Sequence, residues 1–194
     1  MKTAKEYRME SKAALSGNWG MAILLCLLYA LILGALSGTG ILALLLGGAF
    51  SVGISFAFVN LYRRPGLKIE DLFHAFTNGD GFTATIGMGV KTAIFTFLWS
   101  LLFVIPGIVK SYSYAMAPYI LMDHPELTGG EAIRASMKLM NGKKGRLFCL
   151  DLSYIGWLLL CVLTLGILAL WIDPWMTAAR AAFYESVKDE VVLD

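Results

Sequence analysis

Two long apolar runs near the start of the chain, residues 19–36 and 41–62, are separated only by Ser37-Gly38-Thr39-Gly40. A helix that crosses a bilayer needs about 20 mostly apolar residues, and in lipid every backbone polar group must be paired inside the chain. Such a pair of runs therefore reads as a helix that crosses and a second that returns. Six segments qualify as spans: 19–37, 41–62, 85–105, 108–122, 147–165 and 167–187. The fourth is short and contains Pro118, and the sixth is interrupted by Asp173, Pro174 and Arg180. Interrupted spans are tolerated only against protein or a wet cavity, which marks these two as interior. Of the 194 residues 58% are apolar and 15% charged, whereas soluble domains run at roughly 45–50% and about 25%. So few charges cannot coat a water-facing surface, which argues against a soluble enzyme, a disordered chain and a nucleic-acid binder. The expectation is an all-α, polytopic membrane protein with one membrane domain over residues 1–194. Lys2, Lys5, Arg8 and Lys12 ahead of the first run look like the start of a secretory signal. That run is longer than a signal core and is followed at once by another, so cleavage is not expected.

Cations retained on the cytoplasmic side orient a membrane bundle. With an inside start, 13 of the 16 Lys and Arg residues fall on the inner side. These are the four named above, then Arg63, Arg64 and Lys68, then Arg134, Lys138, Lys143, Lys144 and Arg146, then Lys188. Lys91 is placed near the inner end of the third span, its ammonium running back to the headgroups, and only Lys110 and Arg180 remain. Both termini are expected in the cytoplasm.

The chain also shows an internal repeat. Gly40-Ile41-Leu42, Gly107-Ile108-Val109 and Gly166-Ile167-Leu168 each mark the turn of a span pair, glycine permitting the tight backbone. Each pair follows a polar, helix-compatible segment (2–16, 69–77 and 128–140) that ends before Asn18, Asn78 or Asn141. The pattern predicts three units, at about 1–64, 65–125 and 126–190, each an interfacial amphipathic helix followed by a membrane hairpin. Ile69, Leu72, Phe73 and Phe76 share one helical face. Ile133, Met137 and Met140 do the same behind Thr128-Gly129-Gly130-Glu131, a capping-box sequence.

Ionisable groups inside spans are functional candidates. Counting residues from the span ends puts Asp151 and Arg180 at similar depth on the inner side, and Lys110 and Asp173 at similar depth on the outer side. Two ion pairs joining the second and third hairpins are expected. Lys110, Ser111, Tyr112, Ser113 and Tyr114 form a polar cluster at the outer end of the fourth span, suited to lining a cavity or holding an anionic headgroup. Small residues on the second span (Gly47, Gly48, Ser51, Gly53 and Ser55) and Ala178, Ala179, Ala181 and Ala182 on the sixth suit close packing of helices or of subunits in a homo-oligomer. Cys26, Cys149 and Cys161 are odd in number and lie in apolar runs, so neither a disulfide framework nor a zinc site is expected. His74 and His124 lack a second ligand at helical spacing, and no phosphate loop or nucleophile with a base is evident. No metal, cofactor or catalytic residue is assigned.

Two stretches carry a family resemblance. One is Ile105-Pro106-Gly107-Ile108-Val109-Lys110-Ser111-Tyr112-Ser113-Tyr114-Ala115-Met116-Ala117-Pro118-Tyr119-Ile120. The other is Arg146-Leu147-Phe148-Cys149-Leu150-Asp151-Leu152-Ser153-Tyr154-Ile155-Gly156-Trp157. In them the chain resembles a family of small integral membrane proteins of Gram-positive bacteria, known only as number 975 among the domains of unknown function. The resemblance implies a bacterial plasma membrane and transfers no catalytic or binding residue. A weaker likeness is to the membrane region of some glycerophosphodiester phosphodiesterases, whose soluble catalytic domain has no counterpart here. The expected function is non-enzymatic: binding of a lipid, an amphipathic peptide or a membrane partner through Lys110–Tyr114 and the sixth span. The rivals are a small transporter or channel, and a membrane enzyme acting on lipid.

Overall fold

A computed structural model describes residues 2–64, 66–77, 79–102 and 104–191, and those residues are helical with no strand among them. The order is α1 (Ala4–Ala14), α2 (Trp19–Ser37), α3 (Ile41–Arg63), a 3-10 turn (Ile69–Phe73), α4 (His74–Thr77), α5 (Gly79–Leu102), α6 (Val104–Tyr114) and α7 (Ala117–Asp123). Then come α8 (Gly129–Leu139), α9 (Lys144–Leu152), α10 (Ile155–Leu163), α11 (Ala169–Val187) and a 3-10 turn at Lys188–Glu190. Four stretches are long and apolar enough to cross a membrane: Trp19–Ser37, Leu42–Arg63, Gly81–Trp99 and Lys144–Leu163. The other two expected spans do not reach that standard alone. One is divided into α6 and α7 at residues 115–116, just ahead of Pro118, and α11 carries Asp173 and Arg180. The surface agrees with an apolar surrounding: Leu165 is 93% exposed, Leu163 80%, Val162 77% and Phe97 67%. Water would not tolerate so wide an apolar surface on a monomer.

Glycine marks two of the three expected elbows. Gly40 caps α3 with φ of 53° and Gly166 turns the chain with φ of 86°, both in the left-handed region that glycine enters freely. Gly107 instead lies inside α6. Pro106 sits in the first turn of that helix, where a missing N–H removes no internal bond, so the helix simply begins earlier than the repeat suggested. The capping box at Thr128 and Glu131 forms, and a second one forms at Thr3 and Glu6. The Thr-x-x-Glu spacing at the start of α1 was there to be read in the sequence.

The core is built where α3, α7 and α11 pack together, with Ala57, Phe58, Ile120, Leu121, Ala178, Ala181 and Phe183 almost fully buried. Alanines and glycines let these backbones approach. The α3–α5 crossing is tighter still: a Cβ on Gly48 would sit 2.2 Å from the Thr85 carbonyl oxygen and 2.9 Å from Gly89 Cα. Around this core α2 packs on α3 and α11, α1 packs on α11 and α9, the Ile69–Phe73 turn packs on α3, and α8 packs on α5, α6 and α7.

The amphipathic segments are therefore not alike. The 69–77 segment is a 3-10 turn followed by one turn of α-helix, with Leu72 buried against Gly53 and Phe76 in a ring cluster with Phe50 and Phe82. Its counterpart α8 is a full amphipathic helix with one face sunk into the bundle: Gly129, Ala132, Ile133, Ala135, Ser136 and Leu139 are buried, while Arg134, Met137 and Lys138 are exposed. Small residues at 129, 132 and 135 let it sink between its neighbours, and a Cβ on Gly129 would meet the Met88 backbone nitrogen at 2.2 Å. Asn18 is the N-cap residue of α2 and Asn141 follows α8, while Asn78 lies outside the described residues.

Replacing Gly48 by valine is expected to lower stability by about 1–3 kcal/mol, since the added carbons meet backbone that cannot yield. Gly47→Ala, where nothing lies within 4 Å, should leave the melting temperature in detergent almost unchanged.

Candidate functional site

Two helices are broken, and each break is held by a neighbour. Between α6 and α7, Ser136 Oγ of α8 accepts from the Met116 N–H at 3.2 Å and donates to the Ser113 carbonyl at 2.8 Å. A buried hydroxyl thus takes the place of a missing helical turn. Between α9 and α10, the Arg8 guanidinium of α1 donates to the Ser153 carbonyl at 2.8 Å, and the Arg8 carbonyl accepts from Trp175 Nε1 at 2.9 Å.

The bend at 115–116 turns one face of α7 toward α11, whose residues 173, 177 and 180 share a face at helical spacing. Arg180 reaches Asp151 of α9 through a two-point contact: Nε donates to Oδ1 at 3.1 Å and Nη2 to Oδ2 at 2.7 Å. Tyr112 of α6 donates its hydroxyl to the same Oδ2 at 2.9 Å. The Asp151 side chain is 13% exposed and that of Arg180 43%, so the guanidinium keeps an open side after pairing.

That open side faces a cavity of about 550 Å³ between α2, α3, α7 and α11. Its polar wall is Tyr29, Ser55, Tyr119, Asp173, Thr177 and Arg180, and its apolar wall includes Ala30, Leu33, Ile54 and Met176. Asp173 is exposed, and among the described residues its carboxylate makes no hydrogen bond or ion pair. A second cleft of about 460 Å³ lies between α3, α5 and α6, lined mostly by small and apolar residues including Gly47, Gly48, Gly89 and Ala93. Ser51, Ala115 and Pro118 border both.

The expected cluster at 110–114 does not form one site, because a helix distributes consecutive side chains around its axis. Lys110 Nζ lies 5.0 Å from the ring centroid of Trp99 on α5, on a different side of the bundle from Asp173, and the two are not paired. Ser111 and Tyr114 border the cleft against α5, Ser113 is buried with its hydroxyl on the Val109 carbonyl, and Tyr112 belongs to the Asp151 fork. Matching depth is necessary for an ion pair, but azimuth on the helix decides it. Tyr29, Ser55, Tyr119 and Thr177 were not joined into one site by the sequence, since no spacing rule links residues on four different helices.

At the far end of the same three helices, Arg63 of α3 makes a two-point contact with Asp123 of α7 at 2.6 and 2.7 Å and donates to Glu185 of α11 at 2.6 Å. Tyr184 donates to Asp123 at 2.8 Å and Lys188 pairs with Glu185 at 2.8 Å. Burial works to raise the Asp123 carboxyl, but the bonds from Arg63 and Tyr184 outweigh it and hold the group below its ordinary range. His74 is stacked on Phe56 at 3.6 Å, and burial there lowers its proton affinity. Lys91 Nζ lies against Gly130 at the start of α8. Among the described residues no group of three or more His, Cys, Asp or Glu side chains could hold a metal ion.

Residues 101–191 match the model of a family described as "Protein of unknown function (DUF975)". The match spans α6 to α11, and so includes Asp151, Asp173, Arg180 and the bend at Pro118. It supports the family that the two sequence motifs resemble. No curated protein matches the chain, and no solved structure does. Neither a Gram-positive source nor the phosphodiesterase likeness gains support from these comparisons.

Removing one partner of a buried ion pair is strongly destabilising because the other charge is left stranded; here Asp151 is the enclosed partner, while Arg180 keeps an open side that softens the loss. Asp151→Arg and Arg180→Asp singly should each reduce the yield of monodisperse protein sharply, and the double exchange should recover much of it. Equal loss in all three would show that the fork does not hold the helices together.

Proposed function

We propose that the chain is an integral membrane protein that binds an amphipathic molecule in the cavity between α2, α3, α7 and α11. In this reading it crosses the bilayer six times, as three related units with both termini in the cytoplasm of a bacterial cell. The fourth crossing is α6 with α7, and the sixth is α11. Support for the crossings comes from the helix order and from how the cations are distributed. With an inside start the six-crossing scheme puts thirteen of the 16 on one side, and in keeping with it Arg63 and Lys188 meet at Glu185 at one end of the bundle. Support for the repeat comes from the packing. Each segment that precedes a span pair docks on the second span of another unit: the 69–77 segment on α3, α8 on α7, and α1 on α11.

The observation that carries the binding reading is the cavity itself. A space of about 550 Å³ that carries both polar groups, among them Asp173, Thr177 and Arg180 of α11, and apolar side chains of α2, α3 and α11 matches the two-part chemistry of an amphiphile. Of the two parts expected of the site, this reading keeps the sixth span, α11, and sets Lys110–Tyr114 aside. Cys26, Asp173 and Thr177 border the cavity, but among the described residues no group of three or more His, Cys, Asp or Glu side chains does, and binding rather than turnover is the reading we adopt.

Native mass spectrometry after mild detergent extraction should find a bound small amphiphile. The Ala30→Trp variant, which fills the cavity from an exposed position on α2, should lose it while keeping its melting temperature. Lys110→Ala should retain it. If Ala30→Trp keeps the adduct, the site is elsewhere. The topology is checked separately: a reporter fused after residue 194 should be active only in its cytoplasmic form, and the opposite result would overturn the six-crossing scheme.

A further inference from the structure

The cavity is not electrically neutral. Arg180 and Asp151 cancel one another through their two-point contact, and Tyr112 satisfies a further lone pair of that carboxylate. Asp173 is left with no compensating cation. Lys110, the nearest candidate by residue counting, is directed to Trp99 instead. Asp173 sits seven residues before Arg180 on the same face, so about 10 Å of helix separates the lone carboxylate from the paired guanidinium. Tyr29 of α2 lines the same space, whereas Tyr119 is stacked on Tyr184, farther along α11; a carboxylate and an aromatic ring in one cavity are surroundings that organic cations favour over water.

From this arrangement we infer that the cavity selects cationic amphiphiles, with a primary or quaternary ammonium group held by Asp173 on the Tyr29 side of the cavity and an alkyl tail along Ala30, Leu33 and Ile54. This rests on the binding reading above and adds the charge of the ligand to it. An inorganic cation is a poorer fit. Among the described lining residues Asp173 is the single carboxylate, so the cavity supplies none of the additional carboxylate oxygens that a hard metal ion favours. An anionic headgroup is disfavoured because the guanidinium is already paired and Asp173 would repel it.

The test uses the full chain in nanodiscs of neutral lipid and three eight-carbon probes: octyltrimethylammonium, octanoate and octanol. Dissociation constants are measured by the quenching of tryptophan fluorescence. Octyltrimethylammonium should bind at least about tenfold more tightly than octanol, the scale expected of one desolvated cation contact, and octanoate should bind most weakly. Asp173→Asn should bring the ammonium probe to the affinity of octanol and leave octanol itself unaffected. Asp173→Glu should restore most of the preference, which a merely structural role for the residue would not produce. If octanol and the ammonium probe bind equally in the unaltered protein, and Ala30→Trp abolishes both, the cavity binds amphiphiles without charge selection and this inference fails alone. If no probe responds to Ala30→Trp, the binding reading fails with it.

Discussion

A broken helix in apolar surroundings must have its freed backbone groups taken up by protein, and much of this structure follows from meeting that demand twice. Pro118 cannot donate to the turn before it, so the chain bends at residues 115–116 and leaves a carbonyl and an N–H to satisfy. Ser136 satisfies both, and to do so the face of α8 that carries it has to be buried, which its small residues at 129, 132 and 135 permit. The second break, at 153–154, is held by Arg8, and that contact draws α1 against α9 and α11. The segments between the long helices therefore act as braces inside the bundle. Without the bend, α7 would not turn Tyr119 toward α11, and the cavity would have no third wall.

The charged groups divide by the same geometry. Where two helices present opposite charges at the same height and on facing sides, they pair, as at Asp151 and Arg180 or at Arg63 and Asp123. Where the sides do not face, as for Lys110 and Asp173, each finds another setting: Lys110 lies over a tryptophan ring, and Asp173 faces an open cavity. One pair closes the helix junction and one unpaired carboxylate gives the cavity its character. That contrast separates a structural charge from one free to meet a ligand, and it would be invisible in a list of ionisable residues.

Particular elements show how much was legible beforehand. Helices α2 and α3 stand where the apolar runs and the Ser37–Gly40 elbow put them, because length and hydropathy dictate helix in lipid whatever the neighbours do. The α8 start followed from Thr128 and Glu131, a local reciprocal bond needing no partner. The Asp151 contact with Arg180 was within reach by counting rises along two antiparallel helices. The splitting of Lys110–Tyr114 was not, since facing directions depend on how α6 is rotated against α5 and α9. Nor was the depth at which α8 seats: Arg134, Met137 and Lys138 stay exposed, and how far the opposite small-residue face sinks depends on a groove of matching depth between α5, α6 and α7.

What the amino-acid order determined by itself is therefore the helical class, the apolar character of the long helices, the clustering of cations at one set of connections and some helix starts, at Gly40 and at the Thr128 cap, but neither the early start of α6 nor the break at 153–154. Each feature so determined is set within a few residues by hydropathy, backbone chemistry or a local cap. The tertiary structure alone decided that residues from α2, α3, α7 and α11 enclose a cavity, that Asp173 stands unpaired in it, and that α1 and α8 brace the two breaks. These depend on the rotation and crossing of whole helices, which arise from the summed packing of glycines, alanines and aromatic rings far apart in the chain.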